Sequence, residues 1–216
     1  MPDLTIAVFS DVICPWCYLG KRRLESALDR LGLRESTKVT WLPFELNPTM
    51  PPEGMARLDY REAKFGLAKS IQLDAQMTAL GEAEGVAFAF GRQTRTPSTR
   101  RAHKLIAHAT RMGNADPVVE ALFRAYFEEA RDIGDGRVLA DIAADAGLDR
   151  EAALAAMEDE LLDRQVADLE AEAGQSGVSG VPFFIIDGQW AISGAQPAEQ
   201  WVEALTQLQA SAGDAA

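Results

Sequence analysis

The hydrophobic pattern changes period twice within residues 4–46. Residues 4–9 form a short apolar, β-branched run, and residues 38–46 form a second one, which is typical of strands. Between them, apolar positions recur at helical spacing over residues 15–31. Pro43 inside the second run indicates an edge strand or an early end, and the Pro-, Asn- and Gly-rich residues 47–54 predict a loop.

The middle of the chain has almost only helical periodicity. Residues 55–174 show apolar faces at helical spacing with few strand signals. Asp116 followed by Pro117 predicts an N-cap and a first-turn proline. Asp149 predicts the start of one long helix that continues through Leu169.

Strand signals return only near the end of the chain. Residues 181–186 are apolar, Asp187 and Gly188 predict a hairpin turn, and residues 189–192 predict the returning strand. A last helix follows from residue 196, and residues 211–216 are expected to fray.

The two ends of the chain therefore predict one shared sheet. We expect a single α/β domain built from residues 1–54 and 175–216, interrupted by an inserted helical subdomain with its connecting helix at residues 55–174.

Composition supports an ordinary globular protein and excludes some partners. The chain has 216 residues, 47% of them hydrophobic, which is ample for a core. Its net charge is −12, and its short basic runs at residues 21–23 and 100–101 are expected on solvated helix faces. We therefore expect no nucleic-acid partner.

Localisation can be judged only from what the sequence lacks. Residues 1–3 include an acid where a signal peptide needs basic residues, and the apolar run that follows is too short for one. No segment is long enough to span a bilayer. These observations predict a cytoplasmic protein with no membrane partner.

The candidate chemistry lies in a C-x-x-C motif. Cys14 and Cys17 are the only cysteines, and they fall between the first predicted strand and the first predicted helix, the layout of a thiol–disulfide exchange site. Pro15 fits the first helical position, which places Cys14 at the N-cap. There the helix dipole favours a thiolate, the nucleophilic form, and Cys17 is the natural resolving thiol.

Other interpretations of the two cysteines are weaker. Zinc requires four ligands, and the two histidines, His103 and His108, are five residues apart, off a shared helical face. We therefore expect no metal site. A structural disulfide would close too small a loop to stabilise much, whereas two buried, inert cysteines stay open as an alternative.

Longer motifs resemble a known family. The chain is similar to the DsbA-type branch of the thioredoxin superfamily, and more narrowly to the FrnE-like proteins. The matching segments are residues 10–23 (SDVICPWCYLGKRR), 44–48 (FELNP), 121–127 (ALFRAYF), 177–184 (GVSGVPFF) and 192–197 (ISGAQP). The resemblance implies an α/β, thioredoxin-like fold interrupted by a large inserted all-helical subdomain.

The resemblance also implies roles for individual residues. It implies a cis peptide between Val181 and Pro182, beside the nucleophilic sulfur, whose backbone pairs with the substrate; the alternative is a strand-start proline. Trp16 is expected to be exposed beside the sulfur as a recognition surface, or else to be a packing aromatic.

Two further residues are weaker candidates. Asp11 could influence Cys14 or serve as a base for Cys17, or it could simply cap a loop. His103 could border the site from the insertion, although a solvated or packed histidine is the simpler interpretation.

The family implies two chemistries. One is thiol–disulfide exchange by Cys14 and Cys17 with protein or small-molecule disulfides and thiols, with no cofactor and with glutathione as a candidate redox partner. The other is a glutathione-dependent isomerase or transferase, like 2-hydroxychromene-2-carboxylate isomerase or the kappa-class glutathione transferases, which usually carry serine at the first cysteine. A redox-silent binding module or chaperone that uses the Trp16 surface is a third interpretation.

Overall fold

The computed structural model describes residues 4–214, with side chains through Ser211. A single-turn 3-10 helix lies at Phe90–Arg92. The other elements, in chain order, are β1 (Leu4–Ser10), α1 (Pro15–Leu31), β2 (Thr37–Pro43), β3 (Met55–Ala56), α2 (Arg57–Phe65), α3 (Leu67–Ala83), β4 (Arg95–Thr96), α4 (Arg100–Arg111), α5 (Ala115–Phe127), α6 (Gly136–Asp145), α7 (Arg150–Glu158), α8 (Glu160–Gln175), β5 (Phe183–Ile186), β6 (Trp190–Ser193) and α9 (Ala198–Asp214).

Both ends of the chain contribute to one four-stranded sheet in the order β2-β1-β5-β6. β1 pairs in parallel with β2, with Ile6 opposite Val39, and antiparallel with β5, with Val8 opposite Phe184. The turn before β6 contains Asp187 and Gly188, with φ of 48° and 68°. The predicted sheet, with the helical block between its two halves, is therefore confirmed.

The N-terminal elements follow the sequence pattern closely. α1 begins at Pro15 with Cys14 as the N-cap, and it ends before Gly32, whose φ of 66° is the left-handed conformation that glycine adopts readily. β2 is an edge strand, and it ends at Pro43, which cannot donate a backbone hydrogen bond to a continuing ladder.

The insertion contains one feature that the helical pattern missed. β3 and β4 form a two-stranded antiparallel ribbon with Met55 opposite Thr96, so residues 55–174 are not entirely helical. Gly54, directly before β3, lets the backbone pass close to Thr96 at the end of β4. Its φ is +70°, and a Cβ there would lie 2.6 Å from the Thr96 carbonyl oxygen, so a larger residue would not fit.

Two helix boundaries differ from the predictions. α5 begins at Ala115 with Asn114 as its N-cap, so the expected capping role of Asp116 is wrong; its carboxylate accepts a hydrogen bond from Trp41 Nε1 at 3.2 Å. The single long helix expected after Asp149 is two helices, α7 and α8. The helix is interrupted at Asp159, whose carboxylate accepts a hydrogen bond from the Leu161 backbone N–H at 2.7 Å and caps α8.

The basic runs are less solvated than expected. Lys21 is only 2% exposed, and its ammonium pairs with Glu25 and, at 2.9 Å, with Glu120 of the insertion. Arg100 contacts Glu45 at 3.1 Å across the boundary between the sheet and the insertion. The prediction of solvated faces is wrong for these two residues because carboxylates from distant segments pack against them.

The insertion packs directly on α1. The ring of Tyr18 stacks on Phe123 of α5 with centroids 5.0 Å apart, and both side chains are fully buried. Beyond the sheet, Trp201 of α9 meets Phe184 of β5 edge-on at 4.8 Å. The Tyr18–Phe123 contact thus holds the start of α1 against the insertion, and the Trp201–Phe184 contact holds α9 against the sheet.

Three sequence predictions concern the chain ends, the membrane and the domain division. α9 continues to Asp214, and the expected fraying of residues 211–216 stays a prediction; residues 1–3 and 215–216 lie outside the described residues. Within residues 4–214, no helix is both long and apolar enough to cross a membrane. The proposed domain boundaries at residues 54/55 and 174/175 stay a prediction.

Candidate active site

The two sulfurs lie at the N-terminus of α1. Cys14 is the N-cap, and its carbonyl oxygen accepts hydrogen bonds from the backbone N–H groups of Cys17 and Tyr18 at 3.0 and 3.3 Å. Both cysteines are free thiols, 4% and 1% exposed. Cys14 lines a cleft and Cys17 lies behind it, so Cys14 is the sulfur that an incoming molecule meets.

The environment of Cys17 keeps its thiol protonated. Burial raises the pKa of Cys17 well above its usual value, and the neighbouring Cys14 side chain raises it further. The neighbouring Ser10 side chain and Asp11 backbone lower the pKa of Cys17 and oppose this shift. Cys17 must therefore lose a proton before it can act as a nucleophile.

The segment before β5 faces the first sulfur. The Val181–Pro182 peptide bond is cis. The Cys14 thiol donates a hydrogen bond to the Val181 carbonyl oxygen at 3.7 Å. Gly20 of α1 lies against this segment, because a Cβ there would be 3.0 Å from Pro182 Cγ and 3.3 Å from Phe184 Cζ. The absence of a side chain at residue 20 thus lets α1 approach Pro182 closely.

The residues between the cysteines are placed as expected. Pro15 occupies the first turn of α1, and Trp16 is 40% exposed at the mouth of the cleft that Cys14 lines. The exposure of Trp16 agrees with the sequence prediction, and its role in substrate binding stays a prediction.

Asp11 is fully buried and holds two segments together. One carboxylate oxygen accepts from the Leu46 backbone N–H at 2.8 Å, and the other from the Ile13 N–H at 3.5 Å. Asp11 therefore stabilises the loop before Cys14, which is the simpler role considered for it. A role as the base for Cys17 stays a prediction.

His103 of α4 lies behind Asp11, inside the protein. Its Nε2 atom is 3.5 Å from the Asp11 carboxylate, at ion-pair distance. Burial lowers the pKa of His103, but the charges of Asp11, Glu45 and Glu170 raise it by more, so the net shift is upward. The structure thus brings His103 to the motif as a packed residue of the insertion that does not line the cleft.

A charged network behind His103 was missed by the sequence analysis. The Arg100 guanidinium contacts Glu45 and Glu170, each at 3.1 Å, and Glu170 accepts from the Glu45 backbone N–H at 2.7 Å. Burial and the charge of Glu170 raise the pKa of Glu45. Glu45 belongs to the FELNP segment, which the sequence marked only as a point of resemblance and for which it predicted no charged contact.

A cleft of about 360 Å³ opens beside Cys14. One wall is formed by the C-x-x-C segment with Val181, and the other by α2, α3 and neighbouring residues of the insertion. Three basic residues that the sequence analysis did not single out, Arg57, Arg61 and Lys64, lie on the second wall. Their spacing along α2 predicts one shared helix face, but only the folded structure places that face in the cleft that Cys14 lines.

No metal ligand set accompanies the thiols. Among the described residues, no group of three or more Cys, His, Asp and Glu side chains could hold a metal ion.

The chain matches the model of the DsbA-like thioredoxin domain over residues 5–206. Among solved structures, a probable DsbA oxidoreductase from Streptomyces coelicolor is 34% identical, with a TM-score of 0.84, and the alignment covers 94% of this chain and 89% of that one.

Two more distant structures show the same fold. One is a 2-hydroxychromene-2-carboxylate isomerase, at 16% identity and a TM-score of 0.74, covering 98% of this chain and 99% of that one. The other is the cytosolic disulfide reductase DsbM from Pseudomonas aeruginosa, at 21% identity and a TM-score of 0.68, with the alignment covering 95% of this chain and 98% of that one. Relatives named as oxidoreductases and isomerases are consistent with an enzyme. The chain belongs to the DsbA-like thioredoxin domain family and has a thioredoxin fold with a helical insertion.

Proposed function

We propose that this protein is a thiol–disulfide oxidoreductase that uses the Cys14–Cys17 dithiol. One observation carries the proposal: the Cys14 sulfur lies at a helix N-terminus beside a cleft, within 3.7 Å of the Val181 carbonyl, with a protonated partner thiol directly behind it. This arrangement separates an entry sulfur from a resolving sulfur, as exchange requires.

The reaction proceeds in two displacements. The Cys14 thiolate attacks one sulfur of a substrate disulfide, forms a mixed disulfide and releases the first substrate thiolate. Cys17 then loses its proton and attacks the Cys14 sulfur, which closes the Cys14–Cys17 disulfide and releases the second thiolate. The substrate gains two electrons and the dithiol loses them. The same steps in reverse oxidise a substrate dithiol.

Neighbouring residues supply binding and proton transfer in this proposal. The backbone at Val181 and Pro182 pairs with the substrate segment attached to the attacked sulfur, and Trp16 packs against it at the mouth of the cleft. Asp11, which is fully buried three residues before Cys14, accepts the Cys17 proton in this proposal. Since the Cys17 pKa is raised, this deprotonation limits the second displacement at neutral pH.

We extend the proposal to partners and location. The substrates are protein or small-molecule disulfides and thiols, no cofactor takes part, and glutathione is the redox partner in the cytoplasm. Two related structures support this: DsbM from Pseudomonas aeruginosa is a cytosolic disulfide reductase, and a second DsbM structure contains GSH.

A trapping experiment tests the exchange mechanism. The reduced Cys17→Ser variant, mixed with glutathione disulfide, should accumulate one glutathione adduct on Cys14, because no resolving thiol remains. The matched Cys14→Ser variant should stay unmodified. The proposal is wrong if intact-mass measurement finds equal modification of the two variants, or none in either.

A second function is favoured by the shape of the cleft. Its volume of about 360 Å³ lies in the range of small-molecule sites, and its walls include Tyr60, Phe65 and Phe90. A glutathione-dependent isomerase or transferase acting on an aromatic compound would fit such a cleft. This function predicts that Cys14→Ser retains activity with glutathione and an aromatic substrate, whereas exchange predicts a complete loss.

A further inference from the structure

The cleft beside Cys14 has a charge opposite to that of the whole protein. The chain carries a net charge of −12. The charged residues that line the cleft are Arg57, Arg61, Lys64 and Asp74, which leaves two positive charges without a carboxylate partner inside it. In an acidic protein, such a reversal in the cleft that Cys14 lines calls for a chemical reason.

The two arginines share a single carboxylate. Arg57 and Arg61 lie one helical turn apart on α2, and each places Nη2 2.7 Å from an oxygen of Asp74 on α3. Their Nε atoms bond Gln93 and Ser70, so in each guanidinium the Nη1 group remains outside these bonds among the described residues. Both side chains are mostly buried, at 15% and 17% exposure, so they are held in place rather than extended into water.

The lysine has only neutral partners among the described residues. The Lys64 ammonium donates to the Asn47 side-chain oxygen at 2.9 Å and to the Tyr60 hydroxyl at 2.6 Å. An ammonium has three donors, so one remains for a ligand. Lys64 lies seven residues after Arg57 on α2, two turns along the face that carries Arg57 and Arg61.

The surroundings strengthen an interaction with an anion. The Arg61 guanidinium lies over the Phe65 ring at 4.8 Å and that of Arg57 over Phe90 at 5.5 Å. Burial lowers the pKa of Arg61, and the charge of Arg57 lowers it as well, against the opposite effect of Asp74. Two cations on an aromatic wall with one carboxylate between them would be stabilised by a second anion, since charges interact more strongly away from bulk water.

We propose that Arg57, Arg61 and Lys64 form an anion-binding wall that selects disulfides bearing a carboxylate near the sulfurs, so that the substrate class is a small anionic disulfide. This inference rests on the proposed exchange function and names its substrate. The Nη1 groups of the two arginines and the remaining donor of Lys64 would each donate a charge-assisted hydrogen bond to a carboxylate, which orients the disulfide as well as attracting it.

The wall acts on the same two displacements as before. The Cys14 thiolate breaks the substrate S–S bond and forms the mixed disulfide, and one carboxylate-bearing thiolate leaves past the positive wall. The Cys17 thiolate then attacks Cys14 and releases the second one. The disulfide is the oxidant, and the protein dithiol is the reductant, so no further reactant is needed.

A matched series of disulfides tests this selection. The reduced protein is mixed with 3,3′-dithiodipropionate, which carries two carboxylates, with neutral 2-hydroxyethyl disulfide, or with cystamine, which carries two ammonium groups. Loss of free thiol on the protein gives each rate, which is divided by the rate of the same disulfide with free 2-mercaptoethanol. We expect the dianion to be preferred over the neutral compound by about tenfold, the ratio that about 1.4 kcal/mol produces.

Variants and salt locate the preference in the wall. Arg61→Gln and Lys64→Gln should each remove most of the preference, and 0.5 M salt should reduce it in the wild type because exposed charges are screened. Arg137→Gln on α6 is the matched control, since it removes the same charge at an exposed residue outside the cleft and should leave the preference unchanged. Lys64 is exposed, so its variant should fold normally.

Each outcome decides between the proposals. A normalised rate that is equal for all three disulfides, or a preference that survives equally in all variants, overturns the anion-binding wall and leaves exchange standing. If none of the three disulfides oxidises Cys14, both proposals are wrong.

Discussion

Gly20 offers the sharpest test of how α1 positions the active site. The Gly20→Ala variant adds a Cβ that would lie 3.0 Å from Pro182 Cγ and 3.3 Å from Phe184 Cζ, closer than ordinary packing allows. Pro182 follows Val181, whose carbonyl oxygen accepts from the Cys14 thiol. The added methyl group therefore pushes against the segment that we propose to bind substrate.

Two effects of opposite sign set the magnitude. Alanine is favoured over glycine in a helix interior by about 1 kcal/mol. Overpacking a filled interior costs about 1–3 kcal/mol. We therefore expect a net destabilisation of about 0–2 kcal/mol. Such a change leaves the protein folded, so a lower exchange rate in this variant would come from the displaced Pro182 segment and not from unfolding.

Gly174→Ala supplies the control. Gly174 lies within α8, and nothing is within 4 Å of the position its Cβ would take, so only the helix propensity acts and we expect stabilisation of up to about 1 kcal/mol with unchanged exchange. Urea unfolding and the rate of Cys14 oxidation by a disulfide are measured for both variants. The reasoning is refuted if Gly20→Ala is as stable and as active as Gly174→Ala.

Three further predictions concern the buried charges and the core. Because the pKa of folded His103 is raised, its pairing with Asp11 stabilises the protein fully below about pH 6.5, and this stabilisation is lost as the pH rises through the folded pKa. Urea unfolding between pH 5.5 and 8.5 should therefore show the free energy of unfolding falling more steeply with pH in the wild type than in His103→Gln, and equal slopes would contradict this. Glu120→Gln removes a carboxylate from buried Lys21 and should lower the free energy of unfolding by about 1–3 kcal/mol, a result that chemical denaturation would disprove by showing no change. Trp201→Ala empties a fully buried position and should cost about 3–5 kcal/mol; a thermal midpoint within a degree of wild type would be inconsistent with its packing.

Features with a local signal were the ones that the sequence predicted well. α1 was predictable at both ends because Pro15 suits a first turn and Gly32 suits a left-handed end. β2 was predictable as an edge strand because Pro43 lacks an N–H. The position of Cys14 at the helix N-terminus followed from these same rules, since it depends on residues only a few positions away.

Features that depend on distant segments were missed. The sequence around Lys21 predicts a surface residue, but in the folded protein Glu120, 99 positions later, packs against it. Asp116 has the pattern of a helix cap, but its carboxylate accepts a hydrogen bond from Trp41 instead. Similarly, the basic wall of the cleft exists only because α2 folds opposite Cys14, a relation that no local pattern records.

The proposed function depends above all on Cys14 and Cys17 forming a working redox pair. We would measure it by trapping free thiols, with intact-mass detection, across glutathione buffers of graded redox potential. We expect the wild type to pass reversibly from a dithiol to a form lighter by two hydrogens at one potential, and Cys14→Ser to show no such transition. Two thiols that stay free in every buffer, or a glutathione adduct on Cys14 as the sole product, would contradict it.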